Sequence, residues 1–529
     1  MEKEIFTQSE NFKKEYSARV CIIDMLYPIN DADKIAYTII GGDSIVVRKE
    51  EIEIGKPYFY VTRECVLPKG YLHNNNLYMF DKRELNSNYK EVEAILAEAE
   101  TVRETNAAKA DELVESAKRM AGYFAEHGRV KIKKLRGVAS SGYIFTVDEL
   151  VRWKPQLKEY FETHPLEDMI DTFFDTVDGE EFVHAYIPKT NAYNNQRKGN
   201  RGDKKGRKNE RKFEHLIPGK FKPHYDTDKL GDNMFKIEPQ TTVNISVKVH
   251  GTSAVFSNVL SNNPINIPWY KRAWNNLVDY TLGWKWLKNY RFTDSEVGYD
   301  YIYSSRNVIK NEYINLQAKE NKGYYGTDVW GEYNDLFKQY DIIPKGYTIY
   351  GEIFGYISGD DKMIQKNYDY GCEKGTNKFM PYRISEELED GSHYEWNVSQ
   401  VREWTEHIME TYPQIADRLY PIDILYHGTL GDLYPEVDVH THWQENVLIA
   451  MKNDKKMLGM ELNEPLCKNK VPREGVCIRI DNDPINECFK LKTDAFAVRE
   501  AKEMDNGTVD IEMAQTNYGT DGSDEAADN

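Results

Sequence analysis

Hydrophobic and polar residues alternate through ISVKVHGTSAVFSN, residues 245–258, a pattern that predicts half-buried strand. Lys248 falls in the middle of it, next to His250 and Gly251, so a lysine stands at a glycine turn in apolar surroundings. A similar alternation fills about residues 17–85, in ARVCIIDMLYPI, KIAYTIIGG, SIVVRK and YFYVTRECVL. Gly41-Gly42, Gly55-Lys56-Pro57 and Pro68-Lys69-Gly70 separate these runs, which predicts a small all-β unit closing as a barrel. From Glu91 to His127 the period changes to that of a long helix or helix pair, rich in Ala, Glu and Leu and free of proline. Leu96, Leu113, Val114, Met120 and Phe124 form its expected packing stripe. RVKIKKLRGVASSGYIF then returns to β character and is expected to rejoin the first unit, making the helix an insertion.

Residues 146–190 read as helical pieces, and 213–495 as strand-rich with helical inserts, one near 397–420. A chain of 529 residues exceeds one ordinary domain. The expected division is 1–150 for the leading unit with its helical insertion (about 90–127) and 151–212 for a connecting segment and basic loop. The main domain spans 213–500, followed by an acidic, disordered tail at 501–529. The fold class expected is α+β.

Composition narrows the class. With 40% hydrophobic, 12% aromatic and 29% charged residues, the chain can build a sizeable core. No apolar run is long enough for a membrane span and the start lacks the apolar stretch of a secretory signal, so a cytoplasmic monomer is expected. The six cysteines form no CxxC pair and are read as free thiols. The net charge of -18 hides a local reversal: Arg197 to Lys212 holds nine Lys/Arg against Asp203 and Glu210. Arg197, Lys198, Lys204, Lys205, Arg207 and Lys208 are therefore candidate nucleic-acid contacts, ahead of the scattered Arg48, Lys49, Lys133 and Arg136.

There is no GxxxxGK[ST], no GxGxxG and no HExxH. Lysine, however, is a nucleophile when its amine is deprotonated by desolvation or by nearby positive charge. In FKLKTDAF, Lys490 and Lys492 are two apart on a strand pattern and share a face. Such a pair would lower the pKa of a third amine and hold a phosphate. Glu352 lies in an apolar strand before Gly355, and Glu474 lies before Gly475. An acid so placed must be paired, bind a cation or bind ribose hydroxyls.

The ordered set KVHG (248–251), SSRN (304–307), YGEIFG (350–355), FMPYRI (379–384), EGVCIR (474–479) and FKLK (489–492) resembles the motifs of the covalent nucleotidyltransferases, the superfamily of ligases and capping enzymes. Within it the chain is similar to ATP-dependent RNA ligases, above all the Deinococcus-type branch with an OB-like N-terminal domain. The likeness covers most of residues 17–497, but not the basic loop, an insert at about 400–470, or the tail. These inserts point toward a viral enzyme.

The resemblance implies an antiparallel-β-rich, ATP-grasp-like nucleotidyltransferase domain behind the OB-like barrel. It implies joining of an RNA 3′-hydroxyl to a 5′-phosphate through lysyl-AMP and an adenylylated end, with ATP as donor and Mg2+, or Mn2+, as cofactor. Lys248 would be the nucleophile, Lys490 and Lys492 would contact the α-phosphate, and Glu474 would support the metal. Glu352 would hold the ribose or metal, Tyr382 would stack on adenine, Arg306 would contact sugar or phosphate, and His250 and Gly251 would line the ATP site. Two departures stand out: many members carry Asp where this chain has His250, and Pro381 sits where a strand residue would donate a hydrogen bond. A capping guanylyltransferase or DNA ligase is the alternative, disfavoured because too little chain follows Lys492 for a further OB domain. An inactive RNA-end-binding protein is the third reading.

Overall fold

Residues 242–264 fold as two strands on two different sheets, and the lysine stands where the chain crosses between them. The computed structural model describes residues 4–187, 212–222, 224, 227–280, 290–306, 308–315, 325–481 and 487–506. The six basic candidates between Arg197 and Lys208, and the acidic tail beyond residue 506, lie outside these residues.

The leading unit contains β1 (Ala18–Ile22), β2 (Tyr27–Ile29), β3 (Ala32–Ile40), β4 (Asp43–Arg48) and β5 (Pro57–Thr62). A helical hairpin follows, α1 (Tyr89–Arg103) and α2 (Ala107–Arg119), and then β6 (Gly142–Phe145) and β7 (Phe173–Phe174). β6 pairs antiparallel with β5, so the chain does return to the first sheet after the helices. That sheet runs β6-β5-β1-β7, while β2-β3-β4 form a separate meander. The strands therefore do not pair into a closed barrel, contrary to expectation: β1, β5 and β6 bury their shared face on Phe59, Phe145 and Phe174 as an open sheet. The hairpin packs through Val92, Ala99, Ala110 and Ala117, whereas Leu96, Leu113 and Val114 of the expected stripe are only half-buried.

The rest of the fold is built on two five-stranded sheets. The first has the order β8 (Asp228–Lys229), β17 (Cys488–Lys492), β16 (Gly475–Ile480), β9 (Thr242–Lys248), β15 (Ile424–Thr429). All neighbours are antiparallel except β8 with β17. The second has the order β11 (Ser295–Ser305), β10 (Thr252–Pro264), β12 (Tyr347–Gly355), β13 (Asn377–Glu387), β14 (His393–Glu395). Helix α3 (Trp269–Tyr280) lies between β10 and β11, α4 (Val329–Gln339) precedes β12, α5 (Val398–Thr411) follows β14, α6 (Trp443–Asn453) follows β15 and α7 (Asp494–Asp505) follows β17. The segment at about 400–470 is thus no peripheral insert, since β15 pairs along β9, the Lys248 strand. The architecture is mixed α and β with antiparallel sheets.

Each sheet has its own core. Phe256, Phe337 and Phe379 meet edge-on or tilted beneath the second sheet, with ring centroids 5.1–5.9 Å apart, an arrangement that suits the quadrupoles of aromatic rings. Ile245, Ile478, Phe489 and Leu491 bury the inner face of the first against Trp443 and Val447 of α6. A third cluster, including Val247, Val249, Phe354, Met380 and Phe496, joins the two sheets at their crossing. No helix among the described residues is long and apolar enough to cross a membrane.

The leading unit is held to the two-sheet body by ion pairs: Arg19 to Asp232 at 3.3 Å, Lys452 to Asp43 at 3.6 Å, Lys229 to the same Asp43, and Arg129 to Asp505 at 2.9 Å.

Candidate active site

Period-2 alternation fixes which side chains share the cleft. On β9 and β16 the register pairs Lys248 with Gly475, Ser246 with Cys477 and Asn244 with Arg479. On β16 and β17 it pairs Gly475 with Lys492 and Cys477 with Lys490. Lys248 and Lys492 therefore occupy one rung, flanking the backbone of Gly475, and Lys490 lies one step away on the same face. A Cβ at position 475 would meet Leu491 O at 2.1 Å, which explains why the rung is bridged by glycine.

These residues open into a cleft of about 1090 Å³ including its mouth. Lys248, His250, Gly251, Arg306, Glu352, Tyr382, Glu474, Lys490 and Lys492 all line it, so the structure brings together the residues expected at the ATP site, whereas Arg48, Lys49, Lys133 and Arg136 lie elsewhere. Gly251 is required by close approach: a Cβ there would lie 2.4 Å from Ile353 O and 2.8 Å from Glu352 Cγ. Its N–H donates to Glu352 Oε1 at 3.2 Å and its carbonyl accepts from Gln365 Nε2 at 2.7 Å. The turn after Lys248 is thereby pinned to β12, and His250 is wedged between the rings of Tyr368 and Phe496.

The electrostatics centre on Glu474, whose side chain is 4% exposed. Its Oε1 lies 2.9 Å from Lys248 Nζ and 3.6 Å from Lys492 Nζ. Among the described residues its Oε2 accepts no hydrogen bond, and it has His250 Nδ1 at 3.7 Å. Lys492 also pairs with Glu500 of α7 at 3.1 Å. Burial pulls the Lys492 pKa down, but the Glu500 and Glu474 carboxylates outweigh it and leave it raised, so Lys492 is a fixed cation. Lys490 pairs with Glu15 of the leading unit at 3.0 Å. Sequence reasoning expected the lysines to act on one another through their like charge; the structure balances each with a carboxylate.

Tyr382 reaches the cleft by a device the sequence hid. β12 pairs Tyr350 with Arg383 but Gly351 with Pro381, so Tyr382 is the extra residue of a β-bulge. A bulge both tolerates a proline and re-aims a side chain, which answers the difficulty raised by Pro381. The Tyr382 hydroxyl lies 3.3 Å from His224 Nδ1, and that nitrogen lies 3.1 Å from Ser253 Oγ. His224, Cys477, Cys488, Arg383 and Arg479 are lining residues that sequence reasoning did not single out. Arg479 is 4% exposed, donates from Nη2 to Tyr382 O at 2.7 Å, and has an Nη1 with no hydrogen-bond partner among the described residues. Alternation with Cys477 on one strand face was the signal for it.

No family model matches the chain, and no curated protein does. Among solved structures it is similar to Naegleria gruberi RNA ligase. A mutant of that enzyme with AMP and Mn shows 13% identity over 92% of this chain and 99% of the other, with a TM-score of 0.45. A mutant with ATP and Mn gives 13%, 91%, 98% and 0.44, and the enzyme with PPi gives 12%, 93%, 100% and 0.43. A likeness this distant bears on neither the fold nor the chemistry of this chain.

The arrangement can bind a polyanion and deliver an amine to it. Three lysine side chains face one cleft, one on the rim of a buried carboxylate, with an aromatic ring and an unused guanidinium N–H deeper in. Among the described residues no group of three His, Cys, Asp or Glu side chains could hold a metal alone. Magnesium would fit such a site only through one or two carboxylates plus substrate oxygens and water, and Glu474 Oε2 is a carboxylate oxygen without a hydrogen bond among the described residues.

Proposed function

We propose that the protein is an ATP-dependent RNA ligase that works through a covalent lysyl-AMP. The observation that carries this reading is the rung of Lys248 and Lys492 beside Lys490, gathered over the buried Glu474 at the crossing of two sheets. Amine attack on phosphorus needs an amine, an acceptor for its proton and cations for the phosphates, and these residues supply all three.

In the first step the Lys248 amine attacks the α-phosphorus of ATP. The N–P bond forms, the bond to the β-phosphate oxygen breaks, and pyrophosphate leaves. Glu474 Oε1 is the acceptor within reach of the proton that Lys248 must lose. Lys492, held charged, and Lys490, once released from Glu15, neutralise the phosphates. Tyr382 offers a face to the base and Glu352 an acid to the ribose. A magnesium or manganese ion held by Glu474 and substrate oxygens would supply further charge neutralisation. AMP then passes to a 5′-phosphate end, and an RNA 3′-hydroxyl displaces it to form the phosphodiester. Glu15, just ahead of the leading sheet, meets Lys490 at the edge of the cleft.

The test is label transfer from α-labelled ATP, and separately GTP, onto the protein with magnesium, comparing wild type with Lys248→Ala. ATP-dependent label absent from the variant is expected, followed by joining of 5′-phosphate and 3′-hydroxyl RNA ends. Labelling by GTP alone would replace the ligase reading with capping chemistry, and no label from folded protein would overturn it.

A further inference from the structure

The strands that frame the cleft run on to a second feature. β10 leaves the cleft at Thr252 and continues to Pro264, about 40 Å at the usual strand rise, and α3 is carried at its far end. This helix turns its apolar stripe outward. Tyr270, Trp274 and Leu277, at i, i+4 and i+7, are all exposed, and Trp269 at the first turn is 80% exposed. Tyr290 and Phe292, where the chain returns toward β11, extend the same exposed aromatic patch.

The patch is rigidly built. Asn275, fully buried on the opposite side of α3, donates to Phe292 O and accepts from Phe292 N–H, both at 2.9 Å. Trp274 Nε1 donates to Tyr290 O at 3.0 Å. Six large apolar side chains held outward on a fixed frame are more than scattered surface hydrophobics.

Charge decides what they fit. Lys271 Nζ lies 5.1 Å from the Phe292 ring and Arg272 is exposed beside it. The nearby acids Asp294 and Asp300 are engaged by Arg291 and by Lys338, while Glu296 and Glu214 are exposed on the strands behind the helix. The described chain at His215 and Leu216 also meets this end of β10. Leu216 bridges Ser261, and Asn262 N–H donates to His215 O at 2.9 Å. Lys271 and Arg272 thus set two cations among the exposed rings of α3.

We propose that the aromatic face of α3, with Tyr290 and Phe292, is a stacking platform for single-stranded RNA, gripping the substrate about 40 Å from the cleft. This rests on the ligase reading for its purpose, but not for its test. Rings stack on bases without regard to sequence, and interleaved cations hold the backbone.

The experiment measures binding of a labelled single-stranded RNA 24-mer by anisotropy for the full chain, for Trp269→Ala/Tyr270→Ala and for Trp269→Phe/Tyr270→Phe, with ATP label transfer and a melting curve on each. The alanine pair is expected to weaken RNA binding by about tenfold or more, the phenylalanine pair to keep it, and label transfer to stay unchanged in both. Lys271→Ala/Arg272→Ala should flatten the dependence of affinity on salt by about 0.7 in log–log slope per charge. Unchanged RNA affinity in a folded alanine pair would overturn the platform. So would loss of self-association, or of binding to anionic vesicles, with RNA affinity intact. Ring-dependent RNA binding in a wild type that takes no label would sustain the platform and sink the ligase reading.

Discussion

Glu474→Gln isolates the charge on which the candidate site turns, because it keeps shape and removes only the carboxylate. At an effective dielectric of about 20, a carboxylate 2.9 Å from one ammonium and 3.6 Å from another gains about 6 and about 5 kcal/mol of gross attraction. Most of that is offset. Burying the carboxylate has its own cost, Lys248 and Lys492 remain 25% and 20% exposed, and Glu500 stays with Lys492 at 3.1 Å. A net loss of about 2–4 kcal/mol is expected, which lowers the melting temperature by about 2–7 °C in a unit of this size. Label transfer from ATP should fall by at least about 100-fold, since the acceptor for the Lys248 proton is gone. Part of the stability loss is the unpaired Lys248 charge, so Glu474→Gln/Lys248→Met should melt above Glu474→Gln, a coupling that a double-mutant cycle measures. A single variant that melts with the wild type, or a double variant no more stable than the single, would refute the reasoning.

Three further outcomes are expected. Burial pushes the Asp43 carboxyl up, but Lys229 and Lys452 outweigh it and hold it well below 3.8. The group is depressed in the folded state, so its stabilisation is present above about pH 4 and lost as pH falls through the folded value. Melting curves of wild type and Asp43→Asn should therefore differ near neutrality and converge in strong acid. Gly251→Ala forces a methyl into Ile353 O and Glu352, at a cost of about 1–3 kcal/mol in a chemical melt, with label transfer reduced more than stability because Lys248 is three residues away. The Cys477 thiol holds the Cys488 thiol below its usual range against burial, helped by Arg479. A thiol of the Cys477–Cys488 pair should accordingly be alkylated by iodoacetamide before the other four cysteines, and ATP should protect it; mass spectrometry reads both.

Much of the site was legible because strand periodicity is local. Alternation put Lys490 and Lys492 on one face, and the glycine after Lys248 marked the point where backbone approaches backbone. What escaped depends on pairings far apart in the chain. Tyr382 is aimed by a register shift against Tyr350 and Gly351, and nothing in FMPYRI announces which strand it will meet. β15 lies in a stretch that looked like an insert, yet it completes the sheet at Lys248. The barrel expected of the leading unit needed ring closure, which alternation within single strands does not encode; the strands divide into separate sheets instead. Glu15 had no sequence signal at all, since its partner Lys490 is reached only when two units dock.

That docking contact makes the two parts of the molecule linked equilibria. Glu15 and any anionic ligand of the cleft compete for the same ammonium of Lys490. Whatever factor the seated leading unit subtracts from anion affinity, a bound anion must subtract from the seating of that unit. Occupancy of the cleft is thus reported at a surface it never touches, and a partner that draws the leading unit aside would raise affinity for the anion by the same ratio.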